Sequence, residues 1–139
     1  MELIKILVVD DHPIVREGLK LIFETGERIQ IADEAANGKE YKKYDLILLD
    51  IQMPVMNGLQ FLKEKEKLGD ETSVIILTTA DDKETLQKAM LLGVKSFLLK
   101  DATRNEMIET VLATAKGETV VSPEIEKILM AEKTSEIQI

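Results

Sequence analysis

The stretch Asp45-Leu46-Ile47-Leu48-Leu49-Asp50-Ile51-Gln52-Met53-Pro54 decides the reading of this chain. Four consecutive apolar residues stop at a carboxylate, Asp50. A continuous apolar run of that length is the pattern of a strand buried on both faces, as in a parallel sheet. Three other runs end the same way: Ile6-Leu7-Val8-Val9 in Asp10-Asp11, Val74-Ile75-Ile76-Leu77 in Thr78, and Phe97-Leu98-Leu99 in Lys100. Four such strands, each finishing at a polar group, place one site at the carboxyl edge of an open α/β sheet.

Working outward, short apolar runs alternate with helical patterns, the signature of repeated βαβ units. Lys5–Val9 reads as the first strand. A helix follows from Pro13, with Ile14, Val15, Leu19 and Ile22 on one stripe and Gly26 as its end. Ile29–Ala35 is a second strand, polar enough to stand at an edge. Leu46–Leu49 is the third. Asn57 caps a helix carrying Leu59, Phe61, Leu62 and Leu68, which Gly69 stops. Ser73–Leu77 is the fourth strand. Asp81-Asp82-Lys83-Glu84 has capping-box spacing ahead of a helix with Leu86, Met90 and Leu91. Ser96–Leu99 is the fifth strand. Thr103-Arg104-Asn105-Glu106 is a second capping box, and its helix turns Met107, Ile108, Val111, Leu112 and Ala115 to the core before Gly117. The expected domain is therefore residues 1–121. Residues 122–139 are expected to be a short amphipathic helix with Ile125, Ile128 and Leu129, then a linker stub or tail.

One connection is irregular. Only the eight residues Asn37–Tyr44 separate Ala36 from Asp45. A βαβ crossover with its helix takes about 10–12 residues or more. Eight residues hold a turn or so of helix, or reach about 26–29 Å when extended. The second helix is expected to be shortened.

Composition limits the function. The 139 residues suit one domain, and 45% apolar with 4% aromatic content implies a core of Leu, Ile, Val and Met. There is no cysteine, hence no disulfide framework and no thiolate metal site. A net charge of −8 argues against the chain gripping a phosphate backbone by itself. The N-terminus runs straight into a strand pattern without a signal peptide, and no apolar stretch is long enough for a membrane span. A cytoplasmic location and no membrane partner are expected.

Asp10, Asp11 and Asp50 converge if strands one and three are neighbours. Packed carboxylates repel unless a cation joins them. An oxygen-only set without His or Cys suits a hard divalent ion, Mg²⁺ or Mn²⁺. Lys100 adds a point positive charge and Thr78 a hydroxyl donor, a set fitted to stabilising charge on a transferred phosphoryl group. Taken singly, an Asp at a strand end is usually a cap, a Lys a surface residue and a Thr a strand residue. The signal is their ordered conjunction at four strand ends.

On these residues a resemblance can be stated. Ile6-Leu7-Val8-Val9-Asp10-Asp11-His12-Pro13, Asp45–Pro54, Ile76-Leu77-Thr78-Thr79 and Leu98-Leu99-Lys100-Asp101-Ala102 resemble the receiver domain of two-component response regulators, over roughly residues 3–118. The resemblance implies a flavodoxin-like (CheY-like) doubly wound five-stranded parallel sheet in order 2-1-3-4-5. It implies that Asp50 accepts a phosphoryl group from a phosphohistidine on a cognate sensor histidine kinase. Asp10 and Asp11 would hold Mg²⁺ together with Asp50 and the backbone carbonyl of Gln52. Thr78 would be the switch hydroxyl, Lys100 the lysine that pairs with the phosphate, and Phe97 the aromatic switch residue, turning inward on phosphorylation. Its ordinary alternative is a strand aromatic filling the core.

Asp11-His12-Pro13-Ile14-Val15-Arg16-Glu17-Gly18-Leu19 and Gly93–Ala102 are similar to receivers that precede a LuxR-type helix-turn-helix domain. DNA would then be reached only through an effector domain for which residues after Val121 are too few. The helices from Lys83 and Arg104, or the first helix with the last, offer faces for a homodimer formed on phosphorylation. Two rival classes stay open: an unphosphorylated interaction module with a vestigial acidic site, and a phosphatase using Asp50 as nucleophile. The second lacks an acid at Gln52 and room for a cap domain. No Gly-rich phosphate loop follows the first strand, which leaves a nucleotide or flavin site weaker still.

Overall fold

A computed structural model describes residues 4–10, 13–24, 29–35, 44–51, 58–67, 69, 72–78, 83–94, 96–121, 123 and 125–127. Its strands are β1 (Ile4–Val9), β2 (Ile29–Ala35), β3 (Leu46–Asp50), β4 (Ser73–Thr78) and β5 (Ser96–Leu99). The helices are α1 (Pro13–Glu24), α2 (Gly58–Lys67), α3 (Lys83–Leu91) and α4 (Arg104–Ala115). Every strand pairing is parallel and the sheet order is β2-β1-β3-β4-β5. The polar strand β2 stands at the edge and the most apolar strand, β3, at the centre. Residues 36–43, where the shortened helix was expected, lie outside the described residues.

Alternation along each strand feeds two apolar layers. Ile6, Val8, Leu46, Leu48, Ile75, Leu77 and Leu98 pack with Leu19 and Phe23 of α1 and Met107 and Val111 of α4. Leu7, Val9, Ile47, Leu49, Val74, Ile76 and Phe97 pack on the other face with Phe61 and Leu62 of α2 and Leu86 and Ala89 of α3. Both faces are thus covered by helices, which is why the strands read as unbroken apolar runs. The start of β3 is pinned to β1 twice: the Asp45 N–H donates to the Lys5 carbonyl at 2.8 Å, and the Lys5 N–H donates to Asp45 Oδ2 at 2.7 Å.

Helix phase departs from expectation at several positions. Ile14 is 87% exposed, and Phe23 takes a fully buried place that the stripe omitted. Met90 and Leu91 point to solvent, while Ala89 is buried beside Leu86. In α4 the buried residues are Met107, Thr110, Val111 and Thr114, with Ala115 exposed. Thr114 can go inside because its Oγ1 is hydrogen-bonded to Ser96 Oγ at 2.8 Å, and a satisfied hydroxyl tolerates burial.

Helix ends follow the sequence signals more closely. Thr103 caps α4, its Oγ1 accepting from the Glu106 N–H at 3.2 Å and donating to Glu106 Oε1 at 3.1 Å. Gly69, Gly93 and Gly117 adopt positive φ of 69°, 94° and 90°, where an L side chain is strained. Asn57, Asp81 and Asp82 lie outside the described residues. Thr103→Ala is expected to cost about 1 kcal/mol in a urea titration, with the m-value unchanged.

After α4 the chain returns along β5. Residues 123 and 125–127 are helical, and Ile125 is buried in the layer that holds Phe97. Ile128 and Leu129 lie outside the described residues.

Candidate functional site

Register builds the site. β1 pairs with β3 through Val9 and Leu49, so the next residues, Asp10 and Asp50, leave the sheet side by side. β3 pairs with β4 through Asp50 and Leu77, which puts Thr78 one step beyond the acid's partner. β4 pairs with β5 through Thr78 and Leu99, and Lys100 follows immediately. A backbone hydrogen bond from the Lys100 N–H to the Thr78 carbonyl, 2.8 Å, fixes that turn. Four polar residues separated by up to 90 positions in sequence thereby meet at one carboxyl edge.

Asp10, Asp50 and Thr78 are all fully buried. The Lys100 ammonium lies 3.1 Å from Asp50 Oδ1, its side chain 28% exposed against 0% for Asp50. The lysine therefore reaches a buried acid while its own side chain keeps some solvent contact. Oδ2 of Asp10 and Oδ2 of Asp50 are buried atoms to which no hydrogen bond is made among the described residues. Buried acceptor atoms of that kind are costly. Two of them on adjacent strand ends, in a donor set made of oxygen alone, fit a hard divalent cation. Asp11 and Gln52, the other expected ligands, lie outside the described residues. Among the described residues no group of three His, Cys, Asp or Glu side chains comes together.

One contributor was not read from the sequence. Arg16, in the first turn of α1, donates from Nη1 to the Asp10 backbone carbonyl at 2.7 Å. It ties the end of β1 to α1 and so orients the peptide that carries the acid. Its spacing, six residues past Asp10 on the first helical turn, was the available signal.

Phe97 lies in the core, where its reading as a strand aromatic puts it. Its ring is 1% exposed, among the residues of the α2–α3 layer. The inward position is already taken, because β5 alternation and the chain returning after α4 enclose it.

A cavity of about 360 Å³ opens at the opposite end of the sheet, lined among others by Lys65, Ser73, Val94, Ser96, Thr114 and Glu118. It shares no residue with the carboxylate pair, and its Ser96 and Thr114 hydroxyls are engaged with each other. The carboxyl edge is therefore the candidate site.

Comparison with known proteins identifies the family and the fold. A family model of the response regulator receiver domain matches residues 6–112. The transcriptional regulatory protein YdfI of Bacillus subtilis strain 168 is 41% identical over 132 residues, covering 90% of this chain and 61% of YdfI. The nitrate/nitrite response regulator protein NarL of Escherichia coli K12 is 32% identical, covering 91% of this chain and 61% of NarL. Among solved structures, the response regulator ChrA of a heme-sensing two-component system superposes with a TM-score of 0.82 at 32% identity, over 95% of this chain and 66% of that one. The signal receiver domain of the putative response regulator NarL from Mycobacterium tuberculosis gives 0.77 at 32% identity, over 85% of this chain and all of the other. The chain thus spans about three fifths of the length of these two curated relatives. No helix among the described residues is long and apolar enough to cross a membrane.

Proposed function

Because this chain belongs to the response regulator receiver domain family, we infer that Asp50 is the acceptor of a phosphoryl group delivered by a sensor histidine kinase. The observation that carries the assignment is the Lys100–Asp50 ion pair at 3.1 Å, with Asp50 fully buried beside Asp10. A buried carboxylate held by one cation beside a second carboxylate is a nucleophile pointed at one place.

In the reaction, an Asp50 carboxylate oxygen attacks the phosphorus of the kinase's phosphohistidine in line. The new O–P bond forms as the N–P bond breaks, and the imidazole nitrogen leaves with the electron pair. Lys100 neutralises charge on the equatorial oxygens. Asp10 and Asp50, with Asp11 and the Gln52 carbonyl, would hold Mg²⁺. When bound, this ion supplies positive charge to the phosphoryl oxygens and relieves the repulsion between the carboxylates. The phosphoaspartate presents acceptor oxygens to which the Thr78 hydroxyl donates. By resemblance to the family, the positions of Gln52 and Ala80, both outside the described residues, are those that tune hydrolysis of the phosphate, so the chain would assist its own phosphorylation and dephosphorylation rather than turn over a separate substrate. Output passes by protein contact, including a homodimer, to control of transcription through an attached DNA-binding effector. Its place is the cytoplasm, with the kinase's catalytic region.

The test is direct. With Mg²⁺ and a small acyl phosphate, the chain should gain the mass of one phosphoryl group, and excess chelator should prevent it. No gain under either condition refutes the reading. Mg²⁺ alone should raise the melting temperature, by about 1.4 kcal/mol of added stability at ten times its dissociation constant, and Asp10→Asn should lose most of that rise.

A further inference from the structure

β5 has four residues and stands at the end of the sheet, so only one of its edges pairs with another strand, β4. A bare strand edge invites wrong pairing and needs a cover. Here the chain supplies its own. The Phe97 N–H donates to the Val120 carbonyl at 3.0 Å, and the Val120 N–H donates to Ser96 Oγ at 3.2 Å. Val121 makes a single parallel bridge to Phe97. A few residues on, Ile125 is 0% exposed within the apolar layer that contains Phe97, and Val121 packs against that layer.

The strand is therefore gripped at both ends. At its carboxyl end Lys100 reaches Asp50 and bonds by its backbone to Thr78. At its amino end the returning chain holds Ser96 and Phe97. Four residues span only about 13 Å, too short for the two ends to shift independently. Thr78 also alternates with Ile76, the register partner of Phe97. On the phosphoacceptor reading, a Thr78 drawn towards Asp50 would leave volume on the face where Phe97 is buried.

We propose that the chain returning after α4, through Val120, Val121 and Ile125, is a lock on β5 that holds the Phe97 ring inside and favours the phosphorylated state of Asp50. This rests on the phosphoacceptor reading above. Docked, the segment keeps the ring buried beside the space that a moving Thr78 would leave, so that the ring can close on it. Undocked, the ring loses its cover and the strand its outer pairing. The two events are linked, and the linkage is reciprocal: whatever factor docking adds to occupation of the acceptor site, occupation adds to docking. Phosphorylation is then read as a tighter grip on the residues around Ile125.

The experiment compares wild type with Ile125→Ala and Val121→Ala in saturating Mg²⁺, titrating the acyl-phosphate mimic beryllofluoride and following amide resonances and their hydrogen exchange. Both variants are expected to need at least about fivefold more beryllofluoride for half-saturation. In wild type the mimic should slow exchange of the Phe97 and Val120 amides by a similar factor. Val121→Ala trims a half-buried group and keeps the comparison available if Ile125→Ala does not fold. Wild-type half-saturation in the folded variants, or exchange at Phe97 and Val120 that beryllofluoride leaves unchanged or accelerates, overturns the lock while sparing the acceptor site. A wild-type chain that binds no beryllofluoride overturns the acceptor site and the lock with it.

Discussion

Asp50→Asn is expected to take up no phosphoryl group from a small acyl phosphate, while the wild-type chain is modified in Mg²⁺. The substitution keeps the shape of a fully buried side chain at the end of β3 and removes only the charge and the nucleophilic oxygen. Packing of the central strand should survive, so loss of uptake cannot be charged to unfolding; a melting curve checks this. Lys100 loses its ion-pair partner in the variant and turns to solvent, which its partial exposure permits. Asp10 is the nearest substitute nucleophile by register. A full-sized adduct on the variant would therefore move the acceptor assignment off Asp50.

Lys100→Ala is expected to slow phosphoryl uptake by a factor on the order of 10²–10³, the usual effect of removing one preorganised charge partner from a developing oxyanion. The rate is read from the time course of intact mass. Lys100→Arg should restore only part of it, because a planar fork does not reproduce an ammonium seated 3.1 Å from a single carboxylate oxygen. The alanine variant has a second, independent signature. It takes the Lys100 ammonium away from Asp50, which is buried beside Asp10, and removing a cation from a buried carboxylate is destabilising. Its stability in chelator should fall below wild type, and Mg²⁺ should recover more of it than in wild type. A variant equal to wild type in both rate and Mg²⁺ response would assign Lys100 to the surface.

Much of the architecture was legible because strands buried on both faces leave no ambiguity of phase. Leu46–Leu49 and Ile6–Val9 read as core whichever way they turn, and their polar ends mark the sheet edge. The polar character of Ile29–Ala35 likewise anticipates the edge position of β2. Helices were harder. Ile14 and Leu91 each sit at the margin of an apolar stripe, where a rotation of one residue, 100°, separates core from solvent. Thr110 and Thr114 were not among the expected core residues, because a hydroxyl does not mark an apolar stripe. Thr114 is inside since Ser96, eighteen residues earlier on another element, satisfies it. The same limit hid the Arg16 bond to Asp10 and the bridge from Val121 to Phe97. These are non-local pairings that no periodicity carries. At the site, Asp10, Asp50, Thr78 and Lys100 were found because each lies at a strand end. For Phe97 the sequence left a switch residue and a core aromatic both open; the ring is buried, and the chain that returns from beyond α4 to enclose it carried no sequence signal.

The most direct measurement is to phosphorylate the chain with Mg²⁺ and an acyl phosphate, reduce the acyl phosphate with borohydride, and sequence the peptides by mass spectrometry. Reduction converts a phosphorylated aspartate to homoserine and leaves every free carboxylate as it was. The account predicts homoserine at position 50 and nowhere else. Homoserine at another aspartate, or at none while the protein carries a phosphoryl group, would contradict it.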